Sequence, residues 1–174
     1  MSFINVEIKA RTEKAGEIRE FLAHAGAEFK GVDEQTDTYF NVPNGRLKLR
    51  QGNIENNLIF YQRRDESGPK ESDFDLLPVT DTYSLLDMLA KALGIKIVVH
   101  KKREIYYIDN VKFHLDALEH FGEFVEIEAS NKNHPVPLEK LHEQCNMYMK
   151  EFGIKSEDLV ELSYSDILRK STAE

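Results

Sequence analysis

Cysteine occurs once in this chain of 174 residues, at Cys145. A lone cysteine excludes an intramolecular disulfide and fits a reducing compartment. Long apolar runs are also missing: no stretch approaches the ~20 residues needed to span a bilayer. The amino terminus lacks a basic segment followed by an apolar one, so neither a secretory signal nor a membrane partner is expected, and the chain reads as cytoplasmic. The six histidines are scattered without zinc-ligand spacing. There is no internal repeat and no low-complexity tract. The SGPK stretch at 67–70 is too short to be a linker, so residues 1–174 read as one domain, long enough to bury a full core. Nor is there an excess of positive charge: 23 Lys and Arg face 31 Asp and Glu, a net charge of −8. That balance argues against a nucleic-acid partner, which needs a basic surface.

Positive charge is nevertheless dense in three places, RLKLR at 46–50, QRR at 62–64 and HKKR at 100–103. Basic clusters on an acidic chain suggest a confined anion site rather than a broad basic face.

Three segments have helical periodicity. TEKAGEIREFLAHAG (12–26) offers Thr12 as N-cap, an apolar stripe of Ile18, Phe21, Leu22 and Ala25, and Gly26 as its stop. TDTYSLLDMLAKALG (80–94) offers Thr80 or Asp81 as cap, then Leu86, Leu89, Ala90 and Leu93 before Gly94. PLEKLHEQCNMYMKEFG (137–153) starts at Pro137, carries Leu138, Leu141, Cys145 and Phe152, and ends at Gly153. A shorter helix is expected after Ser156, another turn near Tyr164–Leu168, and a frayed STAE tail. The remainder reads as eight strands, at about 2–10, 37–41, 46–51, 57–64, 72–78, 97–107, 111–117 and 123–129. Turn-like VPNG, GNIENN and IDNV lie between them. Eight antiparallel strands with few helices predict an α+β fold built on a closed or nearly closed barrel.

Side-chain parity along these strands is informative. Glu7 and Lys9 alternate with Val6, Ile8 and Ala10; Arg46, Lys48 and Arg50 with Leu47 and Leu49; Lys112, His114 and Asp116 with Val111, Phe113 and Leu115. Glu126 and Glu128 oppose Val125 and Ile127, although Phe124 breaks the rule. Two arrangements fit. Aliphatics fill the barrel and charges face water, or helices cover the aliphatic face and the charges line a wet tunnel. Amphipathic helices need an apolar surface to pack on, which suits the second, but periodicity alone leaves both open. A tunnel of mixed sign has a use: Lys and Arg hold a polyphosphate, while carboxylates bind the Mg²⁺ or Mn²⁺ that bridges its oxygens.

An ordered set of motifs, Asn5-x-Glu7-x-Lys9, DTYF (37–40), RLKLR (46–50), Lys101-x-Arg103, HLD (114–116) and EIE (126–128), resembles the CYTH family of triphosphate tunnel metalloenzymes. The family includes class IV adenylyl cyclases and thiamine triphosphatases, and this chain looks most like the cyclase branch. The resemblance implies an eight-stranded antiparallel tunnel with helices packed outside, and charges inward. It implies Lys9, Lys48, Arg50, Arg63, Lys70, Lys101 and Arg103 as triphosphate contacts, and Glu7, Asp116, Glu126 and Glu128 as ligands of Mg²⁺ or Mn²⁺. Glu7, Lys9 and Tyr39 are the candidate catalytic residues, the last because some family triphosphatases use a tyrosine–lysine pair. His114 reads as a tunnel-wall histidine. The implied partner is ATP or another triphosphate, and a homodimer is expected from the family alone. Three activities stay open: ATP cyclisation, triphosphate hydrolysis, and capture without turnover. The last is raised by Asn5, which stands where the family has its first Glu. Removing Lys48 and Arg50 is expected to abolish triphosphate binding and leave the fold intact.

Overall fold

The computed structural model describes residues 2–63 and 68–172. Arg64, Ser67 and the last two residues of the tail, to which the strand, loop and fraying expectations extended, lie outside them. In chain order the elements are β1 (Ser2–Arg11), α1 (Ala15–His24), β2 (Glu28–Phe40), β3 (Arg46–Gln51), β4 (Asn57–Arg63) and β5 (Lys70–Pro78). They continue with α2 (Thr82–Leu93), β6 (Ile95–Ile108), β7 (Val111–Leu118), β8 (Gly122–Ser130), α3 (Leu138–Glu151) and α4 (Tyr164–Thr172), with a 3₁₀ turn at Ser156–Asp158.

The strands close into a barrel in the order β1-β5-β4-β3-β2-β6-β7-β8, antiparallel at every seam. The expected eight-stranded antiparallel barrel is thus the fold. The reason for its polarity is packing on the outside. The outward residues Val6, Ile8 and Ala10 of β1, Val111, Phe113 and Leu115 of β7, and Val125, Ile127 and Ala129 of β8 form one buried cluster. Ile18 and Leu22 of α1, with Leu141, Cys145 and Tyr148 of α3, complete it. Burying these aliphatics under two helices leaves the alternate, charged positions no choice but the lumen.

A second cluster lies inside the barrel. Tyr39, Ile59, Tyr61, Val99, Leu118 and Phe124 meet Tyr164, with Ile167 and Leu168 of α4 packed against them. Phe124, which spoils the alternation in the sequence, faces inward and meets Tyr164 edge-to-face at 5.1 Å. Its exception marks where α4 docks.

Several local expectations need correction. β2 begins at Glu28, nine residues before the expected strand, because its long partner β6 pairs with a polar, glycine-containing segment that carries no alternation of its own, with a register shift between Phe29 and Gly31. Thr12 does not cap α1: Lys14 is the N-cap residue, and the Thr12 hydroxyl accepts instead from the Lys14 N–H. Asp81 does cap α2, accepting from the Ser84 N–H at 3.0 Å. Leu138, assigned to an apolar stripe, is 39% exposed. None of the described helices is long and apolar enough to cross a membrane.

Candidate active site

The pleat of six strands points charged side chains at one cavity. Of the residues singled out in the sequence, Glu7, Lys9, Tyr39, Lys48, Arg50, Arg63, Lys101, Arg103, Glu126 and Glu128 all line it. Lys70 and Asp116 do not. Lys70 turns toward the tail and donates to the backbone carbonyls of Val160 and Glu161. Asp116 is forked onto Arg103, with both N–O distances 2.6 Å, and accepts from the Tyr164 hydroxyl at 2.7 Å. A carboxylate with both oxygens so engaged has little capacity left for a metal, which departs from the metal-ligand expectation for Asp116.

On one wall the cations converge on Asp37, which is fully buried. Arg50 donates to it through Nε and Nη2, both at 2.9 Å, Lys48 at 3.0 Å and Lys101 at 2.8 Å. Burial alone would raise the Asp37 pKa, but Arg50, Lys101 and Lys48 hold it well below the carboxylate range. Asp37 therefore stays ionised and fixes three cations in one layer. It sits inside the DTYF motif, yet nothing in the sequence assigned it this role, since its partners lie 11, 13 and 64 residues away.

Glu55 is a second acid that the sequence did not reveal. It comes from the loop joining β3 to β4 and accepts from Arg50 at 3.0 Å and from Lys112, bridging strands separated by β2 and β6. The buried Asp33 carboxylate accepts from the N–H groups of Ile54 and Glu55 at 2.9 and 3.0 Å and thereby aims the loop. A Cβ on Gly52 would lie 2.5 Å from Asp33 Oδ1, so this approach requires glycine.

The opposite wall is acidic. Glu7 accepts from Arg63 at 3.0 Å and is in register with Glu128; Lys9 lies 3.3 Å from Glu126 and 3.6 Å from the Tyr164 ring centroid. His114 Nδ1 is 3.3 Å from Glu126 Oε2, and ligand atoms of His114, Glu126 and Glu128 all fall within 4.8 Å of one another. Burial would raise Glu126, but Lys9 and Arg103 keep it well below the usual carboxylate range. Glu128 goes the other way: burial, together with Glu7 and Glu126 and against Lys112, pushes it up to about 7. Burial, with repulsion from Arg103 and Lys112, brings His114 down to about 3, leaving a neutral imidazole.

A divalent cation fits this donor set. Two carboxylates and a neutral imidazole converge, His114 Nε2 is buried with no partner, and Asn5 Oδ1, also buried, has none either. Tyr39, in contrast, is 5% exposed and belongs to the aromatic packing, where burial raises its hydroxyl to about 12.

Glu128→Gln tests the electrostatics. A carboxyl whose folded pKa lies above its unfolded value favours folding as the neutral acid, and that advantage is lost as pH rises from about 4.5 to about 7. Without metal, Glu128→Gln is therefore expected to be more stable than the wild type at pH 8 by on the order of 3 kcal/mol, and equal to it below pH 4.5. Denaturant midpoints at the two pH values check this; a gap that does not depend on pH would refute it.

Residues 4–164 match the family model described as the CYTH domain. A protein of Methanocaldococcus jannaschii named "Putative adenylate cyclase" is 24% identical over 94% of this chain and 98% of its own length. A conserved hypothetical protein of Pyrococcus furiosus, solved as a structure, is 26% identical and superposes with a TM-score of 0.78, covering 93% of this chain and 98% of that one. A Hippeastrum protein described as a "putative adenylyl cyclase" with a dominant triphosphatase activity shares the fold, with a TM-score of 0.64, 15% identity and coverage of 97% and 96%.

Proposed function

Since the chain belongs to the CYTH domain family, we propose that it is a metal-dependent enzyme that binds a triphosphate in the barrel and converts ATP to cyclic AMP and pyrophosphate, in the manner of a class IV adenylyl cyclase. The observation that carries this reading is the division of one cavity into a cationic wall, Lys48, Arg50 and Lys101, and a carboxylate–imidazole wall, Glu7, Glu126, Glu128 and His114.

The cationic wall holds the phosphate oxygens by charge-assisted hydrogen bonds, and Asp37 keeps its three members aligned before substrate arrives. Glu7, oriented by Arg63, takes the proton of the 3′-hydroxyl as that oxygen bonds to the α-phosphorus and the bond to pyrophosphate breaks. Lys9 and Arg63 face the charge that develops on the departing oxygens. Glu126, Glu128 and His114, with Glu7 beside them, would hold the divalent ion, which supplies further neutralisation at the phosphate oxygens. Beyond the charges, Phe3, Phe74 and Tyr61 form a stacked row, at 5.9 and 5.2 Å between centroids, that lines the same cavity. An aromatic wall next to a phosphate site supports an organic triphosphate over an inorganic one.

Hydrolysis of the terminal phosphate is the second reading, favoured by the activity of the Hippeastrum protein. A panel of ATP, thiamine triphosphate and inorganic triphosphate, each with and without Mn²⁺, separates the two. Cyclic AMP supports cyclisation, inorganic phosphate supports hydrolysis, and tight binding without product overturns both.

Asn5→Glu should change the sign of the metal's effect. Asn5 is 5% exposed and shares its strand face with Glu7, so an added charge there weakens the metal-free protein. Beside a bound cation the same charge becomes a donor, and Mn²⁺ affinity should rise. Melting temperatures across a Mn²⁺ titration check both halves; an unchanged affinity would place Asn5 away from the metal.

A further inference from the structure

We infer that His114 is a direct ligand of the divalent cation, and that its nitrogen biases this site toward manganese and similar transition ions over magnesium. The inference deepens the proposed function, because it concerns the same cavity.

The strand pleat places His114 inward on β7, between β6 and β8, where it is 1% exposed. The only hydrogen-bonding neighbours of the ring among the described residues are carboxylates. Nδ1 lies 3.3 Å from Glu126 and 3.8 Å from Glu128, and Nε2 has no partner. Nδ1 is thus the ring nitrogen that faces both carboxylates, and a cation held among the three groups would take it as a ligand. A charged imidazolium is not required here as a counter-ion. Glu126 already has Lys9 at 3.3 Å and Arg103 at 3.4 Å, and Glu128 is in register with Lys112.

The other candidate donors support the same assignment. Asp116, which an all-carboxylate site would recruit, has both oxygens occupied by Arg103 and Tyr164. Asn5 offers only a neutral oxygen, unpartnered and buried. What remains is an imidazole and two close carboxylates, with Glu7 in register beside Glu128. Mg²⁺ prefers an all-oxygen shell and retains its waters, whereas an imidazole donor suits the first-row transition ions. The imidazole thus replaces, with a neutral nitrogen, part of what a carboxylate would have supplied.

The test uses the full chain and the metals alone, without triphosphate. Calorimetric titration of the wild type is expected to give Mn²⁺ binding about tenfold or more tighter than Mg²⁺. The electron spin-echo spectrum of the Mn²⁺-loaded protein should carry ¹⁴N modulation. In His114→Leu the modulation should vanish and the Mn²⁺ preference should fall at least tenfold. The wild-type spectrum needs no variant, so a misfolded mutant leaves the proposal open to refutation. Bound Mn²⁺ without ¹⁴N modulation, or equal affinity for the two ions, overturns it. Triphosphate binding, measured separately with Mn²⁺ present, distinguishes the two readings. If triphosphate binds but the nitrogen signal is absent, this inference alone falls. If the nitrogen signal is present but no triphosphate binds, the ligand assignment stands and the proposed function falls.

Discussion

Replacing both Lys48 and Arg50 by alanine is expected to abolish triphosphate binding and to weaken the fold with it. The sequence alone suggests a clean loss of binding, because a basic strand face reads as dispensable to packing. Asp37 changes that expectation. It has no exposed surface, and three of its four close contacts come from these two residues. In the double variant only Lys101 remains against a fully buried carboxylate, and breaking such a buried cluster costs about 3–5 kcal/mol. On the ligand side, each lost charge-assisted contact is worth about 1.5–3 kcal/mol, so two together weaken binding by roughly a hundred- to ten-thousandfold. Adding Asp37→Asn together with Lys101→Met separates the effects, since no buried charge of this cluster is then left without a partner, and stability should return without affinity. Urea midpoints and calorimetry with tripolyphosphate read the two quantities independently. A double variant as stable as the wild type would mean that Asp37 is not the counter-ion, and a quadruple variant that still binds would take the phosphate role from all three cations.

Arg103→Ala should be comparably severe. Arg103 is 2% exposed, forks onto Asp116 at 2.6 Å and reaches Glu126 at 3.4 Å. Its removal strands the buried Asp116 and takes one of two cations from Glu126, which keeps Lys9, again at about 3–5 kcal/mol. The damage should spread to α4, because the Tyr164 hydroxyl is held by the same Asp116. Amide exchange over 164–172 is therefore expected to accelerate in the variant. Arg103→Lys keeps the charge but cannot fork, so it should recover only part of the loss. If Arg103 were solely a phosphate contact, the alanine variant would keep wild-type exchange in α4 and lose only affinity. Pairing Arg103→Met with Asp116→Leu should return much of the stability, since apolar replacements of similar volume remove the unpaired charge.

The strand parity that separates Glu7 and Lys9 from Val6 and Ile8 is a local property and is legible directly. So were the glycine ends of α2 and α3 and most strand positions, because hydrophobic period and turn chemistry act within a few residues. What failed locally failed for a physical reason. The first nine residues of β2 have no alternation of their own and are strands because β6 pairs with them. Lys70 carries the right charge, yet the tail carbonyls of Val160 and Glu161, some ninety residues on, draw it away from the cavity.

The sequence by itself determined that this protein would be a barrel of strands with two chemically opposite faces, a surplus of acid, and tight clusters of base. It could not decide which face is the inside, because alternation is symmetric: the same pattern fits either orientation. That choice belongs to the tertiary structure, where α1 and α3 bury the aliphatic face and thereby enclose the charges. Nor could the sequence determine which acid serves which cation. Asp37 gathers Arg50 and Lys101, Asp116 is given to Arg103, and His114 is left to Glu126 and Glu128. These pairings are set by the register of strands distant in sequence, and only closure of the barrel brings them within Coulomb reach.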